Sequence, residues 1–92
     1  MAIVYIPSQL RDLTGGVRTV DVSGDTLTAV IDNLDIAHPG FKARLLDQDG
    51  AALNPYIEVA VDEEIATLGL LTPVGESSEV HILPNVSGGQ GG

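Results

Sequence analysis

The sequence predicts an α+β domain in which a mixed β-sheet packs on one main helix. Three observations support this prediction. Two short β-like segments open the chain, one amphipathic helical segment follows them, and further β-like segments come after the helix. This order of elements is that of a sheet wrapped on a single helix. The 92 residues suffice for one modest core, because a domain of this size buries only about 60 to 70% of its unfolded surface.

Two strands with a glycine turn before the second predict an opening hairpin. Residues 3–6 are apolar on both faces, which is typical of a central buried strand, and Pro7 ends them. A glycine pair at 15–16 supplies a turn in which positive φ angles cost nothing. The second strand covers residues 17–22, with its later valines on one face. The loop between the strands is longer than in a tight hairpin.

The main helix is predicted from its start signal and its apolar stripe. Residues 23–26, Ser-Gly-Asp-Thr, have side chains that cap helix N-termini. Residues 38–40, His-Pro-Gly, end this helix, residues 41–46 predict a short second helix, and an acidic turn follows at 47–50. The apolar residues of the main helix recur at the i, i+3, i+4, i+7 spacing of one helical face: Leu27, Val30, Ile31 and Leu34.

Two more strands are predicted in the second half of the chain. Residues 57–61 alternate in hydrophobicity, which indicates a strand with one buried face, and residues 62–64 form its exposed turn. The apolar residues 68–71 are expected to belong to the core, the alternative being an exposed docking patch. The last strand covers residues 79–83, with its aliphatic side chains on the buried face.

After Pro84 the periodic pattern stops. Residues 85–92 are rich in glycine, which predicts a flexible tail on a domain of residues 1–84. A Gly-Gly end suits activation of its carboxylate, because residues without a Cβ can thread extended through a narrow slot toward an ATP phosphate. Attack of the carboxylate on the α-phosphorus gives an acyl-adenylate that a sulfur or amine nucleophile then takes. The alternative is a terminus that is merely unstructured.

Charge and composition exclude several classes of function. Thirteen acidic residues against four basic ones give a formal net charge of −9, which opposes nucleic acid and favours a protein partner with a basic docking face. Cysteine is missing from the sequence, so disulfides, thiolate metal sites and thiol nucleophiles are excluded. No apolar run approaches membrane-spanning length, and the apolar start does not have a signal-peptide pattern, so a cytoplasmic protein is predicted.

No constellation of residues predicts catalysis or metal binding. His38 and His81 have no partner at metal-ligand spacing and are expected to be solvated surface residues. The turn at 47–50 resembles the start of a calcium loop, but Ala52 stands where that loop needs glycine, so a simple acidic turn is the better interpretation. The serines have no histidine and acid in a triad pattern. The chain is therefore not expected to be an enzyme.

Short motifs run along nearly the whole chain: Ile6-Pro7, Leu10-Arg11, Thr14-Gly15-Gly16, Ser23-Gly24-Asp25-Thr26-Leu27 and Ile82-Leu83-Pro84-Asn85-Val86-Ser87-Gly88-Gly89. In these motifs the chain resembles the ThiS/MoaD family of ubiquitin-like sulfur carriers, and it is most similar to the branch that serves cysteine biosynthesis. The resemblance implies a β-grasp fold, whose order of strands and helix matches the predicted one. The chain departs from the family around residues 56–62, where expected basic and aromatic residues are missing.

The resemblance also implies a function. An adenylating enzyme of the ubiquitin-activating type would use ATP to activate the terminal glycine, a sulfur source would convert it to a thiocarboxylate, and a downstream synthase would take the sulfide. The chain itself would bind no cofactor. The family pattern ordinarily stops at Gly89, so the sulfur-carrying terminus is Gly92 in an unprocessed chain or Gly89 after a protease trims the tail. The residues that would thread into the partner are Val86, Ser87, Gly88, Gly89 and Gly91.

Three other functions stay open at this point. The chain would be a protein modifier if its C-terminus formed isopeptide bonds with lysines, and intact-mass analysis after activation in the presence of sulfide separates the two outcomes. It would be the small subunit of molybdopterin synthase if it stayed in complex with a larger catalytic subunit. It would be an interaction module with an inert tail if deletion of Gly91-Gly92, or of residues 88–92, left activity intact.

Overall fold

The computed structural model describes residues 1–84, which form a five-stranded mixed sheet with the main helix packed on one face. In space the strands follow the order β2-β1-β5-β3-β4. β1 runs parallel to β5, whereas the pairs β1/β2, β3/β5 and β3/β4 are antiparallel. The predicted mixed sheet on one main helix is therefore confirmed. The elements are β1 (Ala2–Tyr5), a 3-10 helix (Ser8–Thr14), β2 (Thr19–Val22), α1 (Leu27–Ala37), α2 (Phe41–Leu45), β3 (Ile57–Val61), β4 (Glu64–Ile65), a second 3-10 helix (Gly69–Leu71) and β5 (Glu79–Pro84).

α1 begins and packs as its sequence predicts. Thr26 caps its N-terminus, because the side-chain oxygen accepts a hydrogen bond from the Ala29 N–H at 3.2 Å. A cap of this kind stabilises a helix by about 1 kcal/mol. Within residues 1–84, α1 with its 11 residues is the longest helix, and none there has the length and hydropathy needed to cross a bilayer. All four residues of the predicted stripe are buried in the core: Leu27, Val30, Ile31 and Leu34.

Asp35 joins the end of α1 to the start of α2. Its Oδ1 accepts hydrogen bonds from the N–H groups of Gly40 and Lys42, at 3.1 and 3.0 Å. The bond from the Lys42 N–H is the main reason that the pKa of Asp35 lies below its ordinary value. The carboxylate therefore accepts hydrogen bonds from backbone N–H groups that have no partner within the short helix, and this holds the helix in place.

The core is aliphatic with one buried phenylalanine. Phe41, at the start of α2, is 0% exposed and is the largest of the fully buried side chains. It belongs to the same cluster as the aliphatic residues of α1 and of the four longer strands. The composition predicts a core of this type, because the chain has one Phe and no Trp.

The connection between β1 and β2 contains the first 3-10 helix where the sequence predicts a loop. Two of its side chains, Leu10 and Thr14, turn inward and are buried. The Thr14 hydroxyl donates to the Val17 carbonyl at 2.7 Å, which holds residue 17 outside the sheet. As a result β2 begins at residue 19 and not at 17. Both residues of the predicted glycine turn have positive φ.

β3 has the predicted buried face but leads into a further strand. Val59 and Val61 are buried as expected, whereas Ala60, expected on the exposed face, is only 8% exposed. Asp62 and Glu63, with φ angles of 52° and 72°, turn the chain in two residues, so that β4 pairs back on β3. Two consecutive positive φ angles match the twist of a tight hairpin, and Asp tolerates them better than most residues. The predicted turn is therefore shorter by one residue, which lies in β4.

Candidate functional site

β5 leads from the middle of the sheet to the glycine-rich end of the chain. It pairs on both sides, with β1 along residues 79–81 and with β3 along residues 80–84. The last register pair joins Ile57 to Pro84, so β5 pairs with both neighbours over its first half and with β3 alone where the chain leaves it. The residues expected to thread into a partner or to carry sulfur lie outside the described residues: Val86, Ser87, Gly88, Gly89, Gly91 and Gly92.

Asp62 fixes the other end of β5. Its carboxylate accepts hydrogen bonds from the Ser78 hydroxyl at 2.7 Å and from the Glu79 N–H at 3.0 Å. Ser78 is buried, and its Oγ also accepts from the Gly75 N–H at 2.8 Å. The Ser78 hydroxyl, followed by the Glu79 N–H, holds the pKa of the Asp62 carboxyl below its ordinary value. These bonds tie the turn after β3 to the first residue of β5.

Replacing Asp62 with asparagine should lower the stability near neutral pH and have little effect in acid. Asparagine keeps the shape of the side chain and tolerates positive φ, but it loses the charge that strengthens both hydrogen bonds. Because the folded-state pKa lies below the unfolded value of about 3.9, the stabilisation is fully present above that value and is lost as the pH falls through the folded pKa.

Urea unfolding of wild type and Asp62→Asn, from neutral pH down to about pH 3, measures this difference. Asp49→Asn is the matched control, since Asp49 is an exposed carboxylate and the substitution removes the same charge. If the destabilisation of Asp62→Asn stayed constant toward low pH, the charge of the carboxylate would not be what stabilises the start of β5.

The face of the sheet away from α1 carries a row of side chains that crosses all five strands. Cross-strand register aligns Thr19, Tyr5, His81, Ala60 and Ile65 in this row. The rings of Tyr5 and His81 are stacked, with centroids 4.2 Å apart and 3° between their planes. Ala60 lies between the larger side chains of His81 and Ile65, which explains why it is covered although it faces away from the core.

Leu83 lies on the same face of the sheet, two residues further along β5 than His81, and acidic residues border this face. Leu83 is 40% exposed and stands one residue before the end of β5. Its cross-strand neighbour is Glu58, and at the opposite margin Ile3 lies between Asp21 and Glu79. A partner that covers this surface would need an apolar centre with basic groups around it. We call the following residues the outer apolar face: Ile3, Tyr5, Ala60, Ile65, His81 and Leu83.

The apolar segment 68–71 is not simply core, contrary to the prediction. The second 3-10 helix packs against α1, where the Thr28 hydroxyl donates to the Leu70 carbonyl at 2.9 Å. Leu70 packs on the core, but Leu68 and Leu71 are 63% and 75% exposed. Leu70 therefore faces the core, whereas Leu68 and Leu71 are exposed to solvent. The result is a second exposed apolar patch on the helical side.

The two histidines and the acidic turn at residues 47–50 make contacts within the domain. His38 is half-buried and meets the ring of Phe41 edge-on, with centroids 6.5 Å apart. His81 is half-buried by its stack on Tyr5, so neither histidine is the fully solvated residue that the sequence predicts. Asp47 Oδ1 accepts from the N–H four residues later at 3.0 Å, so this carboxylate closes its own turn. Among residues 1–84, no three His, Cys, Asp or Glu side chains are grouped to hold a metal.

The outer apolar face was not among the predicted sites, although the alternation of residues along each strand indicates some of its members. His81 and Leu83 occupy odd positions of a strand whose even positions are apolar and buried, so both are expected on the exposed side. Tyr5 was expected to be buried, because residues 3–6 are apolar on both faces, but Ile3 and Tyr5 are only half-buried since they lie on the face of the sheet away from α1. The adjacency of Tyr5 and His81 depends on the parallel pairing of β1 with β5, which joins residues far apart in the chain.

A comparison with family models matches all of the outer apolar face except Ile3, together with the first part of the tail. The model of the ThiS family matches residues 4–89. The chain belongs to the ThiS family. The resemblance inferred from the sequence motifs is thereby confirmed, and the match ends at Gly89, three residues before Gly92.

Relatives of this ThiS-family chain include sulfur carriers and a modifier. The sulfur carrier protein CysO of Mycobacterium tuberculosis is 39% identical to it over 89 residues, which are 94% of this chain and 96% of that protein. The crystal structure of that CysO has a TM-score of 0.86 at 36% identity, covering 91% of this chain and 98% of that one. A chain of the Amycolatopsis orientalis BexX/CysO complex also gives 0.86, at 35% identity and 91% and 94% coverage.

The crystal structure of small archaeal modifier protein 1 from Haloferax volcanii has a TM-score of 0.73 at 30% identity, with 90% of this chain and 92% of that chain covered. Together these neighbours confirm the predicted β-grasp, ubiquitin-like fold. The chain is a close homologue of a sulfur carrier protein, and such proteins are carriers and not catalysts, in agreement with the prediction that it is no enzyme.

Proposed function

We propose that this chain carries sulfur as a thiocarboxylate on a C-terminal glycine and delivers it to the biosynthesis of cysteine or a related metabolite. The main support is its 39% identity to the sulfur carrier CysO over 94% of the chain. A carboxylate oxygen attacks the α-phosphorus of ATP and pyrophosphate leaves. A sulfur nucleophile then attacks the acyl carbon and AMP leaves. Both steps occur on an adenylating enzyme of the ubiquitin-activating type, so this chain is the substrate and binds no cofactor.

The outer apolar face is the surface that we assign to docking on this enzyme. Leu83 stands one residue before the end of β5, so a partner that encloses the tail also meets this face. The face is apolar at its centre and bordered by Asp21, Glu58 and Glu79, which favours a partner with basic groups at its rim. Such charge complementarity raises the rate of encounter more than the final affinity. The BexX/CysO complex supports the general idea that a carrier of this fold assembles with another protein.

The end of the family match supports Gly89 as the working terminus. The ThiS family match stops at Gly89, which agrees with removal of residues 90–92 by a protease before activation. If the chain is activated untrimmed, Gly92 carries the sulfur, and the three additional residues give about 10 Å of further reach. A downstream synthase then takes the sulfide, and we expect these reactions in the cytoplasm.

Intact-mass analysis tests this function. The chain is incubated with its activating enzyme, ATP and sulfide, and the expected product has gained one sulfur in place of one oxygen. Fragmentation then locates the change at Gly89 or Gly92. A chain that ends at Ser87 is the matched control and should keep its mass, as should the full chain without ATP. If the complete reaction leaves the mass unchanged while the same enzyme converts another carrier, the proposed function is wrong.

A protein modifier is the second candidate function, and the 30% identity to small archaeal modifier protein 1 favours it. It would give ladders of larger species on target lysines in place of a thiocarboxylate. Links between copies of this chain would have to use its terminal amine or Lys42, the one lysine of the sequence. The Lys42 Nζ lies 2.8 Å from Asp32 Oδ1, and this hydrogen bond raises the pKa of Lys42, which keeps the amine protonated. Lys42→Arg in a chain whose terminal amine is acetylated removes both acceptors, so ladders that persist are conjugates on other proteins.

A further inference from the structure

The free edge of β2 is the longer of the two open edges of the sheet within residues 1–84, since the other edge strand, β4, has only two residues. The Ile6 N–H donates to the Arg18 carbonyl at 2.8 Å, which fixes the alternation of hydrogen bonds between β1 and β2. Only every second residue of an antiparallel strand bonds to a given neighbour. The N–H and C=O groups of Thr19 and Asp21 therefore point away from β1, to the side where no described strand lies.

The inner side of this edge, toward α1, is apolar. Val20 packs against the core but is only half-buried. One flank of α1 borders the end of β2, because the Asn33 side-chain amide donates to the Ser23 carbonyl at 2.8 Å. The exposed residues Ile36 and Ala37 follow Asn33 by three and four positions, so they lie on the same flank. A strand added to this edge would meet apolar side chains on its inner side.

The outer side of the same edge is acidic at its second half. Asp21 is exposed, and its carboxylate makes no ion pair with any of the residues that the structure describes. Ile3 lies between Asp21 and Glu79 on this face, so two carboxylates border this part of the sheet. Opposite charges on neighbouring strands attract, whereas like charges directly opposite each other destabilise the pairing. Lysine or arginine is therefore the side chain that suits the position next to Asp21.

We propose that an extended segment of a partner protein pairs with the free edge of β2 and continues the sheet. The segment has apolar side chains toward α1 and alternate basic side chains beside Asp21. Hydrogen bonds to the main chain of Thr19 and Asp21 supply affinity, and the two kinds of side chain supply specificity. A second copy of this chain fits less well, because each copy has a net charge of −9 and pairing centred on Asp21 would set two carboxylates opposite each other.

This docking site is separate from the outer apolar face at β5. β1 lies between β2 and β5, so a segment bound at the free edge of β2 leaves the strand that leads to the tail uncovered. A partner could therefore hold the chain by this edge while another protein engages β5. The pairing depends on neither the tail nor the proposed function.

NMR titration of the full-length chain with a short blocked peptide of alternating lysine and valine tests the pairing. We expect the amide resonances of Thr19 and Asp21 to shift and their hydrogen exchange to slow, because their N–H groups gain partners. A peptide of alternating glutamate and valine is the matched control. It should bind about threefold or more weakly, since it places like charges beside Asp21.

Two kinds of variant separate pairing at this edge from a general effect of charge. Asp21→Lys should weaken binding of the lysine peptide about threefold or more, whereas Asp49→Lys, which changes the net charge equally at an exposed site in the turn after α2, should leave it near wild type. Thr19→Pro removes an N–H that takes no part in the β1 ladder, so the fold should persist while the peptide no longer pairs. Thermal melting checks the fold of each variant.

Three results would overturn the proposal. The first is a peptide that leaves the amides of Thr19 and Asp21 unshifted. The second is an equal loss of binding with Asp49→Lys and Asp21→Lys, which would make the effect one of net charge. The third is a dimer of the chain alone in sedimentation that Thr19→Pro dissociates, which would make a second copy the occupant. None of them bears on whether the terminal glycine gains sulfur, so failure of this proposal and failure of the sulfur-carrier proposal are distinguishable.

Discussion

Replacing Phe41 with alanine is expected to destabilise the fold by about 3 to 5 kcal/mol. Phe41 is 0% exposed and is the only phenylalanine of a core that is otherwise aliphatic, so its removal leaves a ring-sized cavity that the surrounding aliphatic side chains fill only in part. A domain of this length has a total stability of about 5 to 14 kcal/mol, so the substitution removes a large share of it. The melting temperature should fall by more than about 12 °C.

Two controls separate a packing effect from a general effect of substitution. Phe41→Leu keeps most of the buried volume and should cost less than half as much. Ile36→Ala removes an apolar side chain from α1 that is 77% exposed and should change stability by no more than about 0.5 kcal/mol. If Phe41→Ala melted as high as Ile36→Ala, Phe41 would not be the core residue that the structure shows.

Replacing Leu83 with glutamine is expected to lower kcat/KM for adenylation about tenfold or more, with little change in stability. The expectation follows from the docking assigned to the outer apolar face, since a central apolar contact of an interface contributes about 1 to 2 kcal/mol or more. Glutamine has a similar length and no charge, so it does not add repulsion against the neighbouring Glu58. Pyrophosphate exchange with the activating enzyme measures the rate, and thermal melting checks the fold.

Leu71→Gln is the matched control for Leu83→Gln. Both residues are exposed leucines on the same chain, but Leu71 belongs to the patch beside α1 and stands well before the tail in the sequence. We expect its kcat/KM to stay near that of wild type. The reverse result, a loss with Leu71→Gln and none with Leu83→Gln, would move the docking surface to the helical side of the molecule.

Much of the fold follows from patterns that lie within a few residues of one another. The spacing of Leu27, Val30, Ile31 and Leu34 specifies both the helix and the face that it buries. The alternation in residues 57–61 and 79–83 does the same for β3 and β5. The motifs from Ile6 to Gly89 were enough to predict the family, and with it the chemistry of a glycine tail that lies outside the described residues.

Local patterns failed where burial depends on a neighbour from elsewhere in the chain. Ala60 was expected to be exposed, but β4 and β5 bring larger side chains to both sides of it. Residues 68–71 were expected to be core because they are apolar. The segment turns Leu70 inward and leaves Leu68 and Leu71 exposed, and this depends on how it packs on α1.

The sequence by itself determined the class of fold, the main helix and its buried stripe, the acidic character of the surface and the glycine tail, because each of these depends on composition or on spacing along the chain. Only the tertiary structure decided what surrounds the base of that tail. The parallel pairing of β1 with β5 joins the two ends of the domain, and it places Tyr5 against His81 on the outer apolar face. Periodicity indicates which face of a strand is buried, but not which strand lies next to it.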